Sequence, residues 1–167
     1  MRKLLTIILS VFILSATAQE QKKLLSPKAS AENEDIKITY GQPSKRGRVI
    51  FGGLVPYDSV WRTGANEATE ITFKRDGTFG GKKIKAGTYT LFTIPSEKEW
   101  EIILNKQLGQ WGAYEYEKYQ RKNVLRTKVP VYELPEELEK FTITVKTDTV
   151  KFEWDRTGAA VPYKLAK

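Results

Sequence analysis

The tightest constraint on what this chain can fold into is a period of two. In Phe141-Thr142-Ile143-Thr144-Val145 apolar and polar residues alternate strictly. An extended strand would therefore carry Phe141, Ile143 and Val145 on one face and the threonines on the other. Runs of the same chemistry, rich in Ile, Val, Thr, Tyr, Phe and Trp, recur along the sequence. They predict strands over Ile36 to Tyr40, Val49 to Phe51, Glu70 to Lys74, Thr88 to Ile94, Trp100 to Asn105, Val124 to Leu134, Phe141 to Thr147, Val150 to Trp154 and Val161 to Leu165.

Turn residues fall where this reading needs them. Asp76-Gly77 follows one run, and Gly80-Gly81 and Ala86-Gly87 bracket the basic segment Lys82-Lys83-Ile84-Lys85, as hairpin connections with positive φ require. Pro130 sits inside a long run, which marks an edge strand or a bulge there. Helix is expected only over Tyr114 to Gln120 and over Pro135 to Lys140, the second because Pro suits a first helical position and acids suit the first turn. About nine short strands with little helix describe an all-β fold, an antiparallel β-sandwich over residues 35–167.

The N-terminus reads as an export signal. Arg2 and Lys3 precede the apolar run Leu4 to Leu14, and Ser15-Ala16-Thr17-Ala18 ends in the small-x-small pattern of a cleavage site. Cleavage after Ala18 would release a mature chain starting at Gln19, with the polar stretch to about residue 34 as a loose leader. The expected location is the periplasm or the cell exterior. The run is short for a membrane span, no Cys follows it to carry a lipid, and no stable membrane insertion is expected after cleavage.

Residues that are missing narrow the chemistry. The sequence has no Cys and no His, which removes disulfides, thiol nucleophiles, His general bases, Ser-His-Asp triads and the usual zinc sites. No metal site and no cofactor are expected, because no phosphate-loop, dinucleotide or calcium-loop motif occurs. The net charge is +8. Lys and Arg are nevertheless interleaved with acids along the whole chain, which reads as a solvated surface and not as a nucleic-acid interface.

One region stands out as a candidate site. The long connection from Gly47 to Thr69 is Gly-rich yet too apolar and aromatic to be disordered, and loops of that length in a small domain are usually functional. It carries Arg48, Asp58, Trp61, Arg62, Asn66 and Glu67. Arg offers a planar fork to carboxylate or phosphate, Asn donates and accepts, Glu accepts a proton, and Trp offers a flat apolar face. The same residues have a structural reading, with Arg62 and Glu67 paired, Asn66 satisfying a turn and Trp61 anchoring the loop on the core. A second aromatic stretch around Trp111 either presents rings to a ligand or covers one end of the fold.

These features support three functions. The first is a binding or accessory module for a small polar ligand, a carbohydrate or a peptide carboxylate. The second is a carboxylate-based hydrolase in which Glu67 is acid or base, Asp58 its partner, and Arg62 or Asn66 holds developing charge. The third is a structural or assembly protein. No catalytic residue is assigned and the oligomeric state is left open.

The runs Gly47 to Tyr57, Trp61 to Thr69 and Ala86 to Pro95, followed by Asn105 and Gln110-Trp111-Gly112-Ala113, closely resemble the exported bacterial proteins grouped as domain of unknown function 2911. The resemblance spans about Ser26 to Val161. It implies a secreted single-domain β protein of a Gram-negative bacterium, and it assigns no activity, cofactor or site residue.

Overall fold

The structure, a computed structural model, describes residues 26–166. The expected export signal and its cleavage point lie outside those residues. Nine strands run through the described chain: β1 Lys28–Glu32, β2 Ile36–Gly41, β3 Thr69–Phe73, β4 Gly77–Phe79, β5 Lys82–Ile84, β6 Gly87–Pro95, β7 Glu99–Asn105, β8 Asn123–Val145 and β9 Thr149–Leu165. One short helix, α1 (Tyr116–Tyr119), follows β7 within the stretch where helix is expected, and a 3-10 turn at Gln120–Lys122 runs on past its end. All strand pairings are antiparallel, and hydrogen bonds join the strands in the order β1-β2-β3-β6-β7-β8-β9-β4-β5. The all-β antiparallel class and the strand number are as expected.

The long strand β8 turns this sheet into two facing halves. Its first part pairs with β7 as far as Pro130, and from Val131 it pairs with β9. Pro130 therefore marks the point where the strand changes partner, a place where a missing N–H does least damage. Rings meet across the interior from the two halves: Phe73 of β3 against Phe79 of β4 at 5.2 Å, and Tyr40 of β2 against Phe141 of β8 at 5.7 Å. Trp100, Trp154, Phe73, Phe79, Phe141 and Phe152 are all fully buried between them. Each such side chain contributes roughly 2–3 kcal/mol of burial, so the core holds the fold without a cross-link.

The open edges are tied by side chains and by a short extra pairing. Beyond β2, Ser44 bridges Lys140, Lys45 N–H donates to the Glu139 carbonyl (2.7 Å) and Phe141 N–H donates to the Pro43 carbonyl (3.0 Å). Lys45 Nζ meets Asp155 at 2.7 Å and Glu137 at 3.0 Å, and these hydrogen bonds, the first the stronger, raise its pKa. At the other end Asn33 Nδ2 donates to the Lys146 carbonyl and the Tyr163 hydroxyl.

Three local readings change. Lys28–Glu32 was read as loose leader, yet it is strand β1, paired with β2 from Lys28↔Gly41 to Glu32↔Lys37. Its inward residues are Ala29 and Ala31, which pack on the core as an edge strand does but lack the bulky signal that marks a strand in sequence. Pro135 to Lys140 is not helical: it is a bulged part of β8, with register shifts at Glu133/Leu138 and Leu138/Thr142. The bonds of Lys45 and Phe141 engage its backbone, so tertiary pairing overrides a local helix preference. Val49 to Phe51 is not a strand but a tight loop closed by Val55 N–H to the Ile50 carbonyl (2.9 Å). Gly80-Gly81 does form the hairpin turn, with φ 57 and 77 joining β4 to β5.

Glu101 of β7 and Arg126 of β8 form a forked ion pair, Oε1 to Nε 2.7 Å and Oε2 to Nη2 2.8 Å. The hydrogen bonds from Arg126 hold the Glu101 pKa below its ordinary value. A depressed carboxylate stabilises the fold at pH values above its unfolded pKa of roughly 4.3, and that contribution disappears as pH falls through the lower folded value. Glu101→Gln should thus lose up to about 1 kcal/mol near neutral pH and match wild type at pH 2–3. Urea titrations across this pH range check both.

Candidate functional site

The 42–68 connection packs onto the fold through Trp61. The Trp61 and Thr93 backbones exchange two hydrogen bonds, 2.7 and 2.9 Å, which pins the loop to β6. The indole lies parallel to Trp154 of β9 (centroids 6.1 Å, 18°) and edge-on to Phe141 at 4.9 Å. Its Nε1 donates to the Gly64 carbonyl at 3.0 Å. Trp61 is only 8% exposed. It is the core anchor of the loop, and only its edge reaches the surface.

After Trp61 the chain reverses twice. Thr63 has φ 56 and Asn66 has φ 64. The left-handed region is uncommon for a β-branched residue and costs on the order of 1 kcal/mol or more. Thr63 is held there by its hydroxyl's contact with Thr93 Oγ1 (3.1 Å), by the Thr69 hydroxyl donating to its carbonyl (2.7 Å), and by burial. Asn66 Nδ2 donates to the Ser26 carbonyl at 3.1 Å, and Ala65 N–H donates to the Gly41 carbonyl at 3.1 Å. The strip Gly64 to Ala68 thus lies against the end of β2 and the start of β1.

These reversals send the expected site residues in different directions. Arg48, Trp61, Arg62 and Asn66 line one cleft of about 330 Å³, together with Ser26, Ser44, Arg46, Leu54, Val55 and Trp154. Glu67 lines a separate pocket beyond the strip, with Lys28, Glu70 and Gln110. Asp58 lies in a third surface depression with Tyr57, Ser96 and Glu99. Trp111 lines none of the three; it is 58% exposed, and its backbone bridges that of Glu67. The pairing of Asp58 with Glu67 that a two-carboxylate hydrolase requires is therefore not assembled in one cleft. Nor do Arg62 and Glu67 form an ion pair among the described residues.

The cleft with Arg62 has an unusual electrostatic composition. Among the described residues three arginines line it and no carboxylate does, although the backbone N–H of Arg46 donates to Glu139 Oε1 nearby. Arg48 donates to the backbone carbonyls of Lys45 (2.9 Å) and Ser44 (2.7 Å), which orients its guanidinium without neutralising it. Arg62 is half-buried, its Nε is fully covered, and that donor has no acceptor among the described residues. A covered donor with no partner costs roughly 1–3 kcal/mol, and the cost is higher beside a charge. A ligand oxyanion would remove it, because a guanidinium fork matches carboxylate geometry.

Ser26, Ser44 and Trp154 line this cleft without having been singled out in the sequence. Arg46 and Ser44 were adjacent to the suspect loop in sequence. Trp154 lies on β9 and Ser26 before β1, so their presence follows only from the tertiary fold.

Fold and cleft define an antiparallel all-β domain with an arginine-lined cleft built on one long loop. The chain belongs to the family described as "Protein of unknown function (DUF2911)", whose model matches residues 22–163. No curated protein and no solved structure matches it.

The cleft depends on Gly41. A Cβ there would lie 1.9 Å from the Ala65 carbonyl oxygen, so any side chain must push the Gly64–Ala68 strip outward. Gly41→Ala is expected to destabilise the fold by about 3 kcal/mol, read as a shift of the thermal midpoint, and to displace the amide resonances of Gly64 to Asn66.

Proposed function

We propose that this chain is a binding module whose basic cleft takes a small ligand through a carboxylate, such as the free C-terminus of a peptide. The observation that carries the reading is the covered Nε of Arg62, without a partner among the described residues, in a cleft that those residues line with three arginines and no acid. Arg62 supplies the fork, Arg48 adds positive charge from a backbone-fixed position, and Asn66 marks the far wall. A sugar ring is less well served, because the indoles of Trp61 and Trp154 are buried in the core and the cleft offers no exposed ring face for stacking.

The test compares an acetylated dipeptide carrying a free C-terminal carboxylate with its C-terminal amide, by calorimetric titration. The acid should bind and the amide should not. Arg62→Ala should weaken binding of the acid roughly 10- to 100-fold, the range for a lost hydrogen bond to a charged group. Arg62→Lys should recover only part, since an ammonium keeps the charge without the fork. Equal binding of acid and amide, or wild-type affinity in Arg62→Ala, would overturn the reading.

We further propose that residues 1–18 direct export and are removed after Ala18, so that the module works in the periplasm or outside the cell. The basic start, the short apolar run and the Ser-Ala-Thr-Ala ending support this. Expression of the full chain in a Gram-negative host should yield a periplasmic product whose intact mass corresponds to a chain starting at Gln19. A product retaining Met1 in the cytoplasm would contradict it.

A further inference from the structure

On the other side of the Gly64–Ala68 strip lies a smaller pocket of about 190 Å³ with the opposite chemistry. It forms where the loop after β7 folds over the outer face of β1, β2 and β3. In β2 and β3 the inward positions are Ile38, Tyr40, Ile71 and Phe73, so Thr39 and Glu70, opposite each other in register, point outward. The covering loop is fixed by the Thr90 hydroxyl donating to the Gln107 carbonyl (2.6 Å), by Gly109 N–H donating to Glu70 Oε1 (3.1 Å) and by Ala68 N–H donating to the Gln110 carbonyl (2.9 Å).

Gln110 lines this pocket and is 4% exposed. Its Nε2 donates to the Gln107 carbonyl at 2.9 Å, while its Oε1 is covered and has no partner. The carbonyl of Gln107 fixes which end of the amide is which, since the flipped amide would set two oxygens against each other. The unpaired group is therefore an acceptor. Two further acceptors share the pocket. Among the described residues the Glu67 side chain makes no hydrogen bond or ion pair, and Glu70 uses one oxygen for Gly109 N–H and has no cationic partner. Lys28 lies at the pocket but bridges neither carboxylate.

We infer that this pocket binds a primary ammonium group on an alkyl stem, with Gln110 Oε1, Glu70 and Glu67 accepting its three N–H bonds. An ammonium offers three donors and no acceptor, which matches a lining that brings the unpaired Gln110 Oε1 together with two carboxylate side chains. A hard divalent cation is poorly served: among the described residues no three acidic side chains are placed so that they could hold a metal ion, and calcium takes six to eight oxygens. The exposed indole of Trp111, whose backbone bridges that of Glu67, gives the stem an apolar neighbour. Lys28 acts as a competing internal cation.

The experiment follows the Gln110 side-chain amide and the Gly109 backbone amide by NMR of the isotope-labelled chain, titrated with 1,5-diaminopentane, with Nα-acetyl-lysine amide and, as control, with pentanol. Both amines, or the diamine alone, should move the two signals saturably, and pentanol should not. Binding of both identifies a lysine side chain as a ligand, and binding of the diamine alone identifies a free amine. Glu67→Gln and Glu70→Gln should each weaken binding roughly tenfold, and Lys28→Ala should tighten it several-fold. Glu67 is exposed, so its variant tests the site without threatening the fold. Arg62→Ala should leave amine binding unchanged, which separates this inference from the carboxylate cleft. Signals that do not respond to either amine, that respond equally to pentanol, that are unaffected by both Glu variants, or that move only with calcium would overturn it.

Discussion

The buried side of Trp61 is the contact on which the rest of the structure depends. A connection of more than twenty residues between β2 and β3 has a large conformational entropy to lose, and each ordered residue costs on the order of 1–2 kcal/mol. Trp61 offsets this by joining three parts of the molecule: its backbone to β6, its ring to Trp154 on β9, and its Nε1 to Gly64 in its own loop. The ring is flanked by Phe51, Phe141 and Trp100, so the loop contributes to the same core that the two halves of the sheet share. Everything from Arg62 to Ala68 is held in place from that point.

Once Trp61 is fixed, the separation of charge follows from backbone geometry. Arg62 and Glu67 are five residues apart, and a surface loop with ordinary dihedrals would leave them free to pair. The left-handed turns at Thr63 and Asn66 place them on opposite sides of a strip that packs against Gly41 with no room for a side chain. The strain at Thr63 is sustained by hydrogen bonds on both sides of the residue. The result is a donor-rich cleft and an acceptor-rich pocket that share a wall. Each retains an unsatisfied buried atom, Arg62 Nε in one and Gln110 Oε1 in the other. An ion pair between Arg62 and Glu67 would have satisfied the two residues locally.

Much of the fold was legible because its signals are local. The alternation at Phe141 to Val145 survives in the structure as a buried Phe141 and Ile143 with half-buried threonines between them. Gly80-Gly81 supplied the positive φ that a two-residue hairpin needs, and the helix after β7 falls inside the expected stretch. The failures are places where the deciding contact is remote in sequence. Ala29 and Ala31 look like leader because small residues carry little strand signal, yet pairing with β2 makes them core neighbours. Pro135 to Lys140 carries a good helix start, but its backbone is engaged by Lys45 and Pro43, ninety residues away. For the site, the loop and the residue types were legible; the side of the strip that each residue faces was not. Asn66 is a residue type that tolerates φ above zero, whereas nothing in a threonine announces that it will adopt φ 56.

The absent residues also shape how such surfaces work. With no His and no Cys, the chain has no side chain whose ordinary pKa lies between pH 5 and 8. The arginine-lined cleft and the Gln110 pocket draw their charge from Arg, Lys and Glu, so neither is arranged as a proton switch in that range. What can modulate them is ionic screening, which at physiological salt acts over about 8 Å and weakens exposed charges more than covered ones. Arg62, with its covered Nε, and Gln110, almost wholly buried, are the groups least subject to it. Contacts made by these two atoms would persist as salt rises, while the contributions of exposed Arg48 and Glu67 would fade. Recognition resting on covered donors and acceptors would be the form that depends least on the salt and pH around it.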